Sequence, residues 1–126
     1  MRDINEYWPH LVCRDLSIIN SFYEQGQLFN CNLDKLESRL DVSFKNIKIT
    51  YVLSNQVLCQ NIIPFSLLYI DDFHVIARWA SKYQCLNRPI VETGHAKNNW
   101  HFSFGFKDIL GYSFDVFYYV NNLEYQ

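Results

Sequence analysis

PHLVCRDLSIINSFYEQGQ, residues 9–27, decides how the chain opens. Val12, Leu16, Ile19 and Tyr23 recur at steps of four, three and four, the spacing that lines one face of an α-helix. Pro9 suits a first helical turn, and Gly26 suits the residue just past a helix end. The pattern predicts an amino-terminal helix from about His10 to Gln25. Leu33, Leu36 and Leu40 allow a further turn or two of helix in NLDKLESRL.

From Leu40 the apolar period changes to two. Leu40, Val42 and Phe44 alternate with polar residues, then Ile47, Ile49 and Tyr51 do so after a slip of phase at Lys45-Asn46. A two-residue turn there pairs Phe44 with Ile47, Val42 with Ile49 and Leu40 with Tyr51, and puts all six on one face. Asn46 tolerates the positive backbone angle that such a turn requires. Asp71-Asp72 reads as the turn of a second hairpin, with Ile70 opposing Phe73 and Leu68 opposing Val75, and Pro64 near its start or edge. Residues 81–99 lose periodicity and read as the longest irregular stretch. WHFSFGF, residues 100–106, and GYSFDVFYYV, residues 111–120, both alternate and form a third hairpin. No internal repeat is visible in the sequence. The expectation is an α+β fold: an antiparallel sheet of about six strands, built from successive hairpins, packed against the amino-terminal helix as a single domain over residues 1–126.

Composition narrows the function. The chain has 126 residues, of which 49% are hydrophobic and 17% aromatic, enough for one folded core. Its net charge of -2, with the basic residues scattered, disfavours direct nucleic-acid binding. No apolar run reaches membrane-spanning length and the start carries no signal-peptide pattern, so a cytoplasmic protein is expected. Cys13, Cys31, Cys59 and Cys85 form no Cys-x-x-Cys pair and read as free thiols.

The chemical motifs are incomplete. His101-Phe102-Ser103-Phe104 fits one arm of the two-histidine phosphoesterases, but His10, His74 and His95 have no hydroxyl two residues on, so the second arm is missing. Glu92, His95 and His101 are the only candidate metal cluster, and polar loop residues in water are the better reading of them. No glycine cluster cradles a phosphate, and no cysteine has a neighbouring histidine to activate it. No catalytic residue, metal or cofactor is therefore assigned. The polar side of WHFSFGF, with His101, Ser103 and Gly105, is where a partner or ligand could approach the sheet.

Tyr7-Trp8-Pro9 and LDVSFKNIKI, residues 40–49, resemble small immunity proteins of bacterial contact-dependent and polymorphic toxin systems. That resemblance implies stoichiometric binding to a cognate toxin domain, with a nuclease toxin as the expected partner, without turnover. Acidic and aromatic side chains on a shared face would then meet the toxin: Asp71, Asp72, Asp108 and Asp115 with Tyr118 or Tyr119. Two other classes stay open: a ligand-binding or enzymatic domain with a pocket near His74 and His101, and a phage-type inhibitor of another host protein. Oligomeric state is not readable from the sequence.

Overall fold

The computed structural model describes residues 8–55, 62–93 and 101–119. Among them the chain forms eight strands and two helices in two mixed sheets. In the first half, β1 (His10–Cys13) leads to α1 (Leu16–Glu24), β2 (Asn30–Asp34), β3 (Arg39–Phe44) and β4 (Ile47–Leu53). In the second, β5 (Ile62–Ser66) leads to α2 (Ile70–Lys82), β6 (Leu86–Thr93), β7 (His101–Lys107) and β8 (Ser113–Tyr119). The sheet orders are β1-β4-β3-β2 and β5-β8-β7-β6, with the first strand of each half parallel to the last and the other pairs antiparallel. One βαβββ unit is therefore used twice.

This corrects the expected single antiparallel sheet and the expected amino-terminal helix. His10–Cys13 is a strand paired with Thr50–Leu53. Asp15 then adopts an extended conformation and accepts hydrogen bonds from the Ser17 and Ile18 amides, so the helix starts after it. Val12 fell on the helical stripe only because a strand residue stands four positions before Leu16. The short helix expected at Leu33–Leu40 is instead β2 and a turn, in which Asp34 accepts from the Leu36 and Glu37 amides.

The second expected hairpin is α2. Phe73, Ile76, Ala77 and Ala80 are buried at helical spacing, and Asp71 and Asp72 occupy the first turn, where the helix dipole favours negative charge. Of the expected irregular stretch, Leu86–Thr93 is β6, an edge strand with two register shifts that hide the alternation, and residues 94–99 lie outside the described residues. Two hairpins stand. Leu40↔Tyr51, Val42↔Ile49 and Phe44↔Ile47 pair as expected, although the positive φ falls on Lys45 (54°), while the Asn46 amide donates to the Ser66 carbonyl. β7 and β8 pair antiparallel from His101↔Tyr119 to Lys107↔Ser113. Trp100 and Val120 of that expected hairpin lie outside the described residues, as do Tyr7, Cys59 and His95.

The buried residues of the two units form a single cluster. Trp79 of α2 is its pillar: its ring lies 4.8 Å from Phe29, 5.7 Å from Phe22, 5.8 Å from Phe106 and parallel to Tyr23 at 6.2 Å, and its indole N–H donates to the Gln25 carbonyl. Such ring pairs add about 0.5–1.5 kcal/mol each beyond the area they bury. A polar chain also crosses the core. Tyr51 donates to Asp108 Oδ2 (2.6 Å) and shares a 2.9 Å hydrogen bond with Tyr23, while Asp108 Oδ1 accepts from the Leu110 and Tyr112 amides. The Tyr112 hydroxyl donates to the Val12 carbonyl and accepts from the Val12 amide, tying β1 to the start of β8.

Candidate functional site

Both helices pack on one face of their sheets, and strand alternation turns the intervening side chains to the opposite, open face. On the second sheet this face carries His101, Ser103 and Gly105 from β7, Asp115, Phe117 and Tyr119 from β8, and Arg88 from β6. Gly105 lies between Arg88 and Asp115 in register. A Cβ there would stand 2.5 Å from Asn87 Oδ1, 3.1 Å from Asp115 Oδ1 and 3.2 Å from Arg88 Cβ. Glycine is what lets β6 fold Asn87 and Arg88 down onto the sheet.

The Arg88 guanidinium is held at two points. Nη2 lies 3.1 Å from Asp115 Oδ1, and Nη1 donates to Ser103 Oγ at 3.2 Å. Arg88 keeps 37% of its side chain exposed and Asp115 25%, so unused N–H donors and carboxylate lone pairs are presented side by side. Ser103 faces Phe117 across the strand pair. Phe117 stacks with Tyr119 at 5.8 Å and 16°, and His101 closes the row 5.2 Å from Tyr119. The result is a charged fork beside an aromatic shelf, on a face that does not belong to the core.

The first sheet's open face is organised differently. Trp8 Nε1 donates to Thr50 Oγ1 (2.8 Å), Thr50 Oγ1 donates to Asp41 Oδ1 (2.6 Å), and Arg39 Nη2 reaches both Asp41 oxygens at 3.0 and 2.9 Å. Lys48 Nζ sits 5.4 Å over the Trp8 ring. Thr50 is 1% exposed, so its hydroxyl is enclosed by these partners.

Nucleophilic chemistry has little support in this arrangement. Ser103 is buried and its oxygen accepts from Arg88, and among the described residues no base is hydrogen-bonded to its hydroxyl in the way a half phosphoesterase motif would need. Burial pushes the Cys31 and Cys85 thiols up to about 11 and raises Cys13, which keeps all three protonated and weakly reactive at neutral pH. Cys13, Cys31 and Cys85 are free thiols. Among the described residues no three His, Cys, Asp or Glu side chains converge as metal ligands; of the expected cluster, Glu92 is exposed and His101 lies on the open face. A metal-dependent reaction would need such a set, and the described donors do not supply it.

The acidic shared face expected from the sequence is not assembled. Asp71 and Asp72 start α2, where Asp72 lies 4.0 Å from Lys45. Asp108 is buried between the units, and desolvation raises its pKa against the pull of its hydrogen bonds. Tyr118 is a core residue. Only Asp115 and Tyr119 share a face, and it is the open face of the second sheet. His74 and His101 lie on opposite sides of β7: His74 is on α2, near the Phe102 ring at 6.2 Å, while His101 points away with Ser103. The sequence missed Arg88, because β6 was read as irregular. The dipeptide Asn87-Arg88 ahead of Pro89 was its only trace.

Comparison with solved structures follows this geometry. The chain superimposes on a glyoxalase/bleomycin resistance protein/dioxygenase from Alicyclobacillus acidocaldarius with a TM-score of 0.73, at 14% identity, covering 98% of both chains. The fold is that of the glyoxalase/bleomycin resistance/dioxygenase structures. TioX from Micromonospora sp. ML1 matches with a TM-score of 0.67 at 7% identity, over 91% of this chain and 96% of that one. An integron cassette protein from the mobile metagenome of V. cholerae matches at 0.63 and 17% identity, over 95% and 98%. No family model and no curated relative matches the sequence. These neighbours overturn the resemblance to immunity proteins and, with it, the toxin-neutralising reading. Of the segments that carried it, Trp8-Pro9 directly precedes β1 and residues 40–49 fall in the β3–β4 hairpin. No helix among the described residues is long and apolar enough to cross a membrane.

Proposed function

We propose that this protein binds a small planar organic molecule on the open face of its second sheet and holds it without turning it over. One observation carries the reading: the half-exposed Arg88–Asp115 fork stands beside the Phe117–Tyr119 stack on a face outside the core. A stacked aromatic pair offers a flat apolar surface with few rotamers to freeze, and the fork offers donors and an acceptor at fixed spacing. The complementary ligand is a flat ring with an adjacent N–H and carbonyl, as in a lactam: the N–H donates to Asp115 and the carbonyl accepts from Arg88. The same geometry argues for binding over catalysis, since Ser103 is sequestered and burial keeps the Cys13, Cys31 and Cys85 thiols protonated.

The probe pair is 2-quinolone and N-methyl-2-quinolone, titrated by calorimetry or by the quenching of protein fluorescence. Saturable binding of 2-quinolone, weaker by about ten-fold for the N-methyl compound and in Arg88→Ala or Tyr119→Ala, supports the reading. Equal binding of both compounds, or binding retained in both variants, contradicts it.

A further inference from the structure

We propose that the groove between α1 and the β6–β7 corner is a second ligand site, selective for an aromatic monocarboxylate. The groove is open to solvent, has a volume of about 740 Å³, within the range of small-molecule sites, and is lined by residues of both units. Its floor is apolar and aromatic: Phe22 and Ile18 from α1, Tyr83 after α2, and Leu86 from β6. Packing fixes this floor. Phe22 meets Trp79 and Tyr23 edge-on, and the Tyr83 ring lies against Gly26, where a Cβ would come within 2.8 Å of its hydroxyl.

The rim is polar and uncommitted. Among the described residues, the side chains of Ser17, Ser21, Gln84 and Lys107 line the groove and make no hydrogen bond or ion pair. Lys107 is the only cation among the described residues of the lining. Asp108, the only carboxylate among the described lining residues, is buried with its oxygens engaged by Tyr51, Leu110 and Tyr112. A cationic ligand would find no accessible counter-charge, and a multiply charged phosphate would find a single positive group. A sugar would leave the Ile18, Phe22 and Leu86 surface unused. A flat apolar body with one carboxylate satisfies both parts: the ring covers the floor, and the carboxylate takes donors from Lys107 and the serine hydroxyls. This inference is independent of the open-face reading, because Arg88 and Asp115 are not part of the groove lining.

The test is a titration of the labelled protein with 2-naphthoate and with neutral 2-naphthylmethanol, followed through backbone amide shifts. Naphthoate should shift the amides of Ser21, Gln84 and Lys107 saturably. Ser21→Trp, which fills the groove from an exposed position of α1, should weaken it about ten-fold or more. Lys107→Gln should weaken naphthoate by roughly three- to ten-fold and leave 2-naphthylmethanol unchanged. Arg88→Ala should leave both unchanged. No saturable shift at these amides, unchanged affinity in Ser21→Trp, or equal affinity of acid and alcohol for the unaltered protein would overturn the proposal.

Discussion

The two βαβββ units share a topology and differ in what their open faces do with it. On the open face of each sheet's antiparallel ladder, Asp41 stands opposite Thr50 in the first unit and Gly105 opposite Asp115 in the second. Asp41 fills its position and engages Arg39 and Thr50, and Trp8 closes over the hydroxyl. Gly105 leaves its position open, and Asn87 and Arg88 descend into it. One unit satisfies its polar groups internally, while the other leaves a guanidinium and a carboxylate half-exposed beside stacked rings. A repeated scaffold thus separates two tasks that compete on one sheet: closing polar groups for stability, and leaving some available for a ligand.

The largest expected effect breaks the part that the units share. Trp79→Ala should cost about 3–5 kcal/mol, because the ring contacts Phe22, Tyr23 and Phe29 of the first unit and Phe106 of the second. Denaturant unfolding should show both units losing stability in one transition. Two separated transitions, with one midpoint unmoved, would show that the units do not depend on a common pillar.

Gly105→Ala comes next. Asn87 must move away from a new Cβ, so a loss of about 1–3 kcal/mol is expected with weakened ligand binding on the open face. Unaltered stability and an unmoved Asn87 side-chain amide resonance would mean that the close approach is not required.

A third prediction concerns the buried bridge between the units. Burial raises the pKa of Asp108 above 3.8, so the folded state holds its proton more tightly than the unfolded chain does. The associated stability is fully present below the unfolded value and is lost as pH rises through the folded one. Asp108→Asn should remove that decline in denaturation midpoints measured in steps upward from about pH 4. Parallel pH profiles for the two proteins would count against it.

The smallest effect sharpens the contrast of the open faces. Arg39→Ala should change stability by no more than about 1 kcal/mol, as expected for a partly exposed pair, and leave ligand affinity unaltered.

How much of this was readable in the sequence depended on whether periodicity was local and clean. The register of Leu40–Tyr51 could be read because a phase slip at Lys45-Asn46 and matched arms admit one hairpin. The β7–β8 pair was equally visible from its alternating aromatics. Residues 9–27 misled, because a four-residue strand and a capped helix set in line reproduced a helical stripe. Asp71-Asp72 misled because two acidic residues suit both a turn and a helix start. The repeat was invisible because topology, and not residue identity, is what the halves share: His10 and Pro64 occupy comparable places beside Thr50 and Asp115. The site was half legible. His101, Ser103 and Gly105 were recognised as an approachable face, and Asp115 and Tyr119 were named for a different partner. Arg88, which joins them, comes from a bulged edge strand whose contacts are made through tertiary packing.

The most direct measurement compares the affinity of 2-quinolone for the unaltered protein, Arg88→Ala and Arg39→Ala under identical conditions. If the second open face is the binding surface, Arg88→Ala weakens binding about ten-fold and Arg39→Ala leaves it unchanged. Loss of binding in Arg39→Ala with full retention in Arg88→Ala would place the ligand on the first face and contradict the account.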